Sequence, residues 1–430
     1  MNSPQPALTS AVANPWRWIP SLYFGQGLPY VSVMTLSVIM YKNLGLSNTD
    51  IALYTSWLYL PWVIKPLWSP VLELVGSARG WILAMQCFIG AALAAVGLTL
   101  PTDDYFRWTL VAFWLLAFSS ATHDIAADGF YMQALKEHQQ AAFVGVRSTF
   151  YRLAMIGGQG GLVYLAGMLQ QQSGSFVSAW ASVFMLLGGF FIVLAGYHRW
   201  QLPYPEQAVS HAVPSAPTFF RDFWRVFVAF FKRPGIGVML AFMLLYRFPE
   251  AQLLKLAVPF LLDTPEAGGL GLSTQQVGIV YGTVGVSALT IGGILGGIVI
   301  SRIGLKRALW PLVLCVHLPN LIFVALAVFL PANLWLLGAA LAVEQFGYGF
   351  GFTAYLLYMI MISQGPHKTA HYAICTGFMA LGMMIPGMWS GWLQDQLGYL
   401  NFFIWVCVAA IPSLVVVSRV TIEPGFGKAA

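Results

Sequence analysis

Residues Ser119–Phe130 read SSATHDIAADGF and close a long apolar segment that begins at Trp108. The stretch carries His123, Asp124 and Asp128. An Asp at mid-membrane costs about 2.5–3.5 kcal/mol on insertion scales. Asp124 and Asp128 are four residues apart and so share one helical face. That face must look at water, at a cation or at a proton path.

The composition says that the surrounding solvent is lipid. Of 430 residues, 58% are hydrophobic and 8% charged, against ~25% charged in an average soluble domain. Apolar runs of about 20 residues recur from end to end, the pattern of a polytopic helical membrane protein. They are too long and too continuous for the alternating strands of a barrel. The opening MNSPQPALTSAVANP has no charge before Arg17; without a basic n-region it reads as a short tail and not as a signal peptide. Cys87, Cys315, Cys375 and Cys407 lie in apolar segments without metal-like spacing, so they read as small buried hydrophobes. No metal, cofactor or nucleic-acid partner is expected. The net charge of +6 is a topology signal.

Twelve spans are predicted, near 16–41, 50–72, 80–100, 107–131, 142–169, 177–197, 236–261, 274–299, 308–330, 333–362, 370–392 and 399–419. With both termini cytoplasmic, 14 of the 21 basic residues fall on the cytoplasmic side, while the outer loops keep Lys42 and Arg107. That bias has the expected sign. The predicted organisation is a tail at 1–15, a six-helix half at 16–197, a linker at 198–235, a second half at 236–419 and a tail at 420–430. The linker begins Pro-rich and continues FFRDFWRVFVAFFKRP, aromatic residues interleaved with bases, which is the signature of an interfacial helix.

The two halves resemble each other. LSNTDIALY (Leu46–Tyr54) and LSTQQVGIVY (Leu272–Tyr281) each place a Ser, Ser47 or Ser273, at a helix N-cap. Parallel six-helix repeats with a site between them are a transporter layout. GGIVISRIGLKRAL (Gly296–Leu309) resembles the Gly-x-x-x-Asp-Arg-x-Gly-Arg-Arg loop of the major facilitator superfamily through Gly297, Arg302, Gly304, Lys306 and Arg307, with Ser301 in place of the Asp. In the first half, Glu73 stands in for that acid and Arg79 for a base. These seven residues are expected to form gating loops. The fold class expected is all-α, a major facilitator fold of twelve transmembrane helices in two halves, and the resemblance implies that spans one, four, seven and ten line the cavity.

Further charges lie inside the spans: Lys65 in span two, Arg147 and Arg152 in span five, Arg247, Glu250 and Lys255 in span seven, and Glu344 in span ten. Spans four and five form a hairpin turning near residue 138. Asp124 and Arg152 are each 14 residues from that turn, and Asp128 and Arg147 are 10 and 9 residues from it. Two ion pairs, Asp124–Arg152 and Asp128–Arg147, are expected at matching depths. Arg247 and Glu250, i and i+3, can pair within one helix. Any of these pairs could instead serve to register the helices. Ionisable residues inside a membrane are functional by default, so Asp124, Arg152, Asp128 and Glu344 are assigned to proton coupling. Asp124 is the proton-carrying acid and Arg152 its release partner. His123 either joins the relay or packs. Lys65 either snorkels or binds an anionic group. Substrate binding is assigned to Lys65, Arg247, Glu250, Gln26, Tyr30, Tyr151 and Gln345, a mixture of charges, amides and aromatic faces that suits a bulky polar organic solute.

At these same residues the chain resembles the AmpG-type muropeptide permeases and their wider group, which includes acetyl-CoA transporters and a branch of siderophore importers. The match includes FGQGLPY in span one, KPLWSPVLE from the end of span two into the first loop, THDIAADGF in span four, FYRLAM in span five, YRFPEA in span seven and VEQFGYGFG in span ten. The resemblance implies proton-driven import of anhydro-muropeptides across a bacterial inner membrane, by a non-enzymatic carrier expected to be a monomer in lipid. The compact length and the Asp-Ile-Ala-x-Asp-Gly variant are also similar to the siderophore branch. Two other classes, an intramembrane acyltransferase and a transport-like sensor, would need a catalytic constellation or a signalling domain. His123 alone is near the site, with no second ligand spaced for it.

Overall fold

The computed structural model describes residues 14–204, 216–365 and 367–428, without the side chains of some helical residues, Glu73 among them. The first residues of the expected tail and the Pro-rich part of the linker lie outside the described residues. So does the side chain of Glu73, and with it that gating assignment.

Helices account for each predicted span. Span one runs Pro15–Asn43, span three Ala78–Thr99, span four Tyr105–Ala134, span six Phe176–Gln201, span seven Ile236–Leu262, span eight Thr274–Ile303 and span nine Leu305–Phe329. Span five runs through Glu137–Ile156, Gly157–Leu162 and Val163–Ser173, and span ten is Leu334–Ile362. Span two is split into Asn48–Trp57 and Leu60–Leu74. Spans eleven and twelve come from Lys368–Val408, which reverses at Gly398 (φ 72°), followed by Ala410–Arg419. That left-handed backbone suits glycine. Both predicted caps form: the Ser47 hydroxyl accepts from the Asp50 amide, and Ser273 closes a capping box with Gln276.

Among the described residues, eight helical stretches are by themselves long and apolar enough to cross a membrane. They include spans eleven and twelve as one stretch and leave out spans two, five and ten. Those three carry Lys65, the pair Arg147 and Arg152, and the pair Glu344 and Gln345. Span two falls short because it is split into two short helices, and spans five and ten because their polar residues lower the hydropathy; no span is missing. Outward, large apolar side chains stand bare, Val193 at 72% and Phe329 at 78% exposed, as lipid contact allows.

The halves meet along two seams. Span two packs on span eleven, and span five on span eight. Glycines bring the backbones together. A Cβ on Gly282 would overlap the Gln159 carbonyl, and one on Gly391 the Asn48 carbonyl. In the second seam both helices carry wide turns, Gly157–Leu162 and Gly278–Gly285, the form that often marks functional positions in helices.

The cysteines depart from expectation in one place. Cys375 is buried and Cys315 and Cys407 are partly so, but Cys87 is exposed on the outside of the bundle, where a weakly polar thiol is compatible with apolar surroundings. No metal-binding group of acids, His and Cys occurs among the described residues.

Candidate transport site

Asp124 stands where spans two and four face each other. Lys65 Nζ lies 3.9 Å from Asp124 Oδ2 and Trp62 Nε1 donates to the same oxygen at 3.1 Å. Lys65 and Trp62 are three residues apart and so share a helical face. Gln26 of span one adjoins the carboxylate, and the Tyr30 ring meets Trp62 edge-on at 5.4 Å. Lys65 and Asp124 are partly accessible, at 27% and 15% of their side chains. An acid, a base, an amide and two aromatic faces therefore share one accessible spot. Tyr151 of span five lies within electrostatic reach of Tyr30 and Asp124, which extends the cluster from spans one, two and four to span five.

The expected partner of Asp124 is not Arg152. Arg152 makes no ion pair among the described residues; its guanidinium approaches Gly293 of span eight, in the other half. Matching depth was satisfied, but direction was not. Arg147 and Arg152 are five residues apart, which turns their side chains about 140° from each other around the helix. Since Arg147 faces span four, Arg152 cannot. The Asp128–Arg147 pair does form, at 2.9 Å, with Tyr23 donating to Asp128 at 3.4 Å and its ring 4.6 Å from the guanidinium. The Arg147 and Asp128 side chains are 31% and 40% exposed. A pair this wet contributes little, so Arg147→Met is expected to change stability by about 1 kcal/mol at most, measured by thermal unfolding in detergent.

The Arg247–Glu250 pair is also absent. Span seven breaks between Leu245 and Phe248, and Arg247 sits at the break with φ −106° and ψ 13°. Helical i,i+3 geometry does not apply across a broken turn. Arg247 donates to the Tyr348 hydroxyl and lies over Phe352 at 4.6 Å. Glu250 instead accepts from Asn320 Nδ2 at 2.9 Å. Glu344 accepts from Gln345 Nε2 at 2.9 Å, and both residues are buried.

His123 packs. Its Nε2 meets Gln86 at 3.1 Å, Gln86 binds His198 at 2.8 Å, and Ser21 meets His198 at 2.9 Å. This buried chain ties spans one, three, four and six together, and nothing in it touches Asp124.

The residues expected to form gating loops lie on the face that carries the linker. Arg79 donates to the carbonyls of Leu202 (3.2 Å) and Arg199 (2.5 Å) and stacks over Tyr204 at 4.0 Å. It therefore ties the first half's loop to the start of the linker. Gly304 has φ 82° and turns the chain between spans eight and nine, where Leu305 N donates to Phe426 O at 2.9 Å. Gly297 faces Thr353, and Arg302, Lys306 and Arg307 are exposed.

A second polar cluster was not foreseen. On the face opposite the linker, Lys42 binds Asp263 at 2.6 Å, Tyr399 donates to Asp263 at 2.5 Å, and Asn48 donates to Gln394 at 2.6 Å and to Tyr399 at 2.9 Å. Thr49 donates to Asp395 at 2.5 Å and Thr274 to Asn43 at 3.1 Å. Deeper in, Lys255 Nζ donates to Thr55 at 2.8 Å. All of these contacts except Tyr399–Asp263, which braces the second half's side of the cluster, join the two halves. No hydrogen bond recorded among the described residues crosses between the halves on the linker face. The molecule is therefore latched shut on one face. Trp62, Asn320 and this latch escaped sequence reading. A polar Asn within LPNLIFVAL was a usable signal for Asn320.

The BT1 family model matches residues 26–420. An uncharacterized protein of Haemophilus influenzae is 27% identical over 91% of this chain and 91% of its own length. The anhydromuropeptide permease of Escherichia coli K12 is 26% identical over 94% of this chain and 79% of its own length. Among solved structures, a bacterial homolog of the human lysosomal transporter Spinster, in an inward-facing and unoccupied conformation, superposes with a TM-score of 0.68 at 14% identity, over 95% of this chain and 96% of that one. The fold is that of the major facilitator transporters, with twelve transmembrane helices in two six-helix halves.

Proposed function

The chain belongs to the BT1 family, and on that footing we propose that this transporter imports anhydro-muropeptides into the cytoplasm of a bacterium, driven by protons. The observation that carries the reading is the partly accessible cluster of Asp124, Lys65, Trp62, Gln26 and Tyr30. Similarity to the E. coli permease over nearly the whole chain supplies the substrate class. A muropeptide offers carboxylates to Lys65, Arg152 and Arg247, and sugar faces to Tyr30, Trp62 and Tyr151. Asp124 is the group that takes up and gives back a proton, and Lys65 is its release partner in place of Arg152. Arg247 and Gln345 complete the substrate side. Residues 16–197 and 236–419 move as the two halves, joined by the linker 198–235.

In this reading both termini are cytoplasmic, the membrane is the bacterial inner membrane, and the carrier works as a monomer. The latched face is then the outer one, and the conformation is closed to the outside. Asp263→Ala removes the acceptor shared by Lys42 and Tyr399. It is expected to lengthen the distance between spin labels at Leu46→Cys and Leu397→Cys, read by pulsed electron resonance. An unchanged distance distribution would mean that these contacts do not hold the face shut.

The transport reading itself is tested by counterflow of labelled anhydro-muropeptide in proteoliposomes. Exchange is expected with the wild-type chain and is expected to fall at least about tenfold, the loss of ~1.4 kcal/mol of binding, in Lys65→Ala. Exchange that ignores Lys65 would remove it from the substrate and proton path.

A further inference from the structure

Glu250 and Glu344 lie on spans seven and ten, inside the second half, at 0% and 1% exposure. Neither makes an ion pair among the described residues. One oxygen of each is held by an amide, Glu250 Oε1 by Asn320 and Glu344 Oε2 by Gln345. The other oxygen of each, Glu250 Oε2 and Glu344 Oε1, is buried without a donor among the described residues. The carbonyl oxygen of the same Asn320 amide, on a side chain 1% exposed, is also buried without a donor. Three buried acceptors thus lack a hydrogen bond among the described residues, and Glu344 lies within electrostatic reach of Glu250. Buried acceptors normally find a donor, and two carboxylates that repel each other cannot both stay ionised in a dry interior.

The titratable groups that act on the two acids from the surrounding helices are Arg247 and Tyr246 of span seven, Tyr281 of span eight, Tyr348 of span ten and Cys407 of span twelve. Arg247 is the only base among them. Lys255, on the same helix, turns to Thr55 in the other half. Two carboxylates against one guanidinium leave one negative charge uncompensated.

We propose that Glu250 and Glu344 hold one proton between them, a second proton site in the second half, distinct from Asp124. Loading converts the pair from two carboxylates to one carboxylate and one carboxylic acid; unloading returns the proton to water. The site deepens the reading of the chain as a proton-driven carrier and rests on it for its use. Its occupancy is tested without substrate.

The test is infrared spectroscopy of the full-length protein in lipid nanodiscs, titrated through neutral pH and read at the protonated-carboxyl band. The wild-type protein is expected to show one such carboxyl at neutral pH that survives Asp124→Asn and is lost in Glu250→Gln and equally in Glu344→Gln. Removing either acid leaves one carboxylate against the one guanidinium of Arg247, so no uncompensated charge remains to hold the proton. Asn320→Ala leaves both acids in place and is expected to move the midpoint of the band. If either Gln variant keeps the full band, or if the band follows Asp124 instead, the pair does not share a proton. A band that vanishes when sodium chloride replaces choline chloride would mean that a metal cation takes the place of the proton, and would overturn the proposal as well. Failure of muropeptide transport leaves these spectra untouched, so the two readings fail separately.

Discussion

Asp124→Asn is expected to abolish gradient-driven accumulation of substrate in proteoliposomes, down to the level of protein-free liposomes, while exchange of substrate across the membrane persists. Asn keeps the volume and can still accept the hydrogen bond from Trp62, so the helices should pack as before. What it cannot do is take up a proton. Lys65 would then face a neutral amide. Its ammonium is 27% accessible, so water compensates for much of the lost partner and the chain should still fold. Transport without accumulation is the signature of lost coupling. Full gradient-driven uptake by Asp124→Asn would remove the proton role from this residue.

Gly282→Val is expected to cost about 3 kcal/mol or more of stability, as overpacking in a tight interior does, and to stop transport in whatever protein survives. Gly282 faces the Gln159 carbonyl so closely that even a Cβ overlaps it. The contact joins the wide turns of spans five and eight, one of the two seams on which the halves must move. Gly161 lies in the same wide turn of span five, with open space where its Cβ would stand, and Gly161→Val is expected to be tolerated. Thermal unfolding and counterflow of both variants check the contrast. Equal behaviour of the two would mean that the close approach is not what the seam depends on.

Much of this was legible in the sequence because hydrocarbon imposes simple rules. Every backbone polar group must be satisfied within its own helix, so span limits follow hydropathy, and the helices begin and end within a few residues of the expected ones. Ser47 and Ser273 were readable because capping is local. Asp128–Arg147 was readable from depth in a hairpin. Depth says nothing of direction around the helix, and that is why Arg152 was misassigned and Lys65 left undecided. The missing Arg247–Glu250 pair has a different cause. The helix is broken at Arg247, and the rule of i and i+3 holds only within a continuous helix. The latch of Lys42, Asn48, Asp263 and Tyr399 joins residues more than 200 positions apart, a separation at which no local pattern can speak.

The central claim, that protons drive a muropeptide inward, is tested most directly by uptake of labelled anhydro-muropeptide into proteoliposomes with and without an inward proton gradient. Gradient-stimulated accumulation that a protonophore collapses is the predicted result. The claim is contradicted if the gradient has no effect, or if a ferric siderophore or acetyl-CoA accumulates under the same conditions and the muropeptide does not.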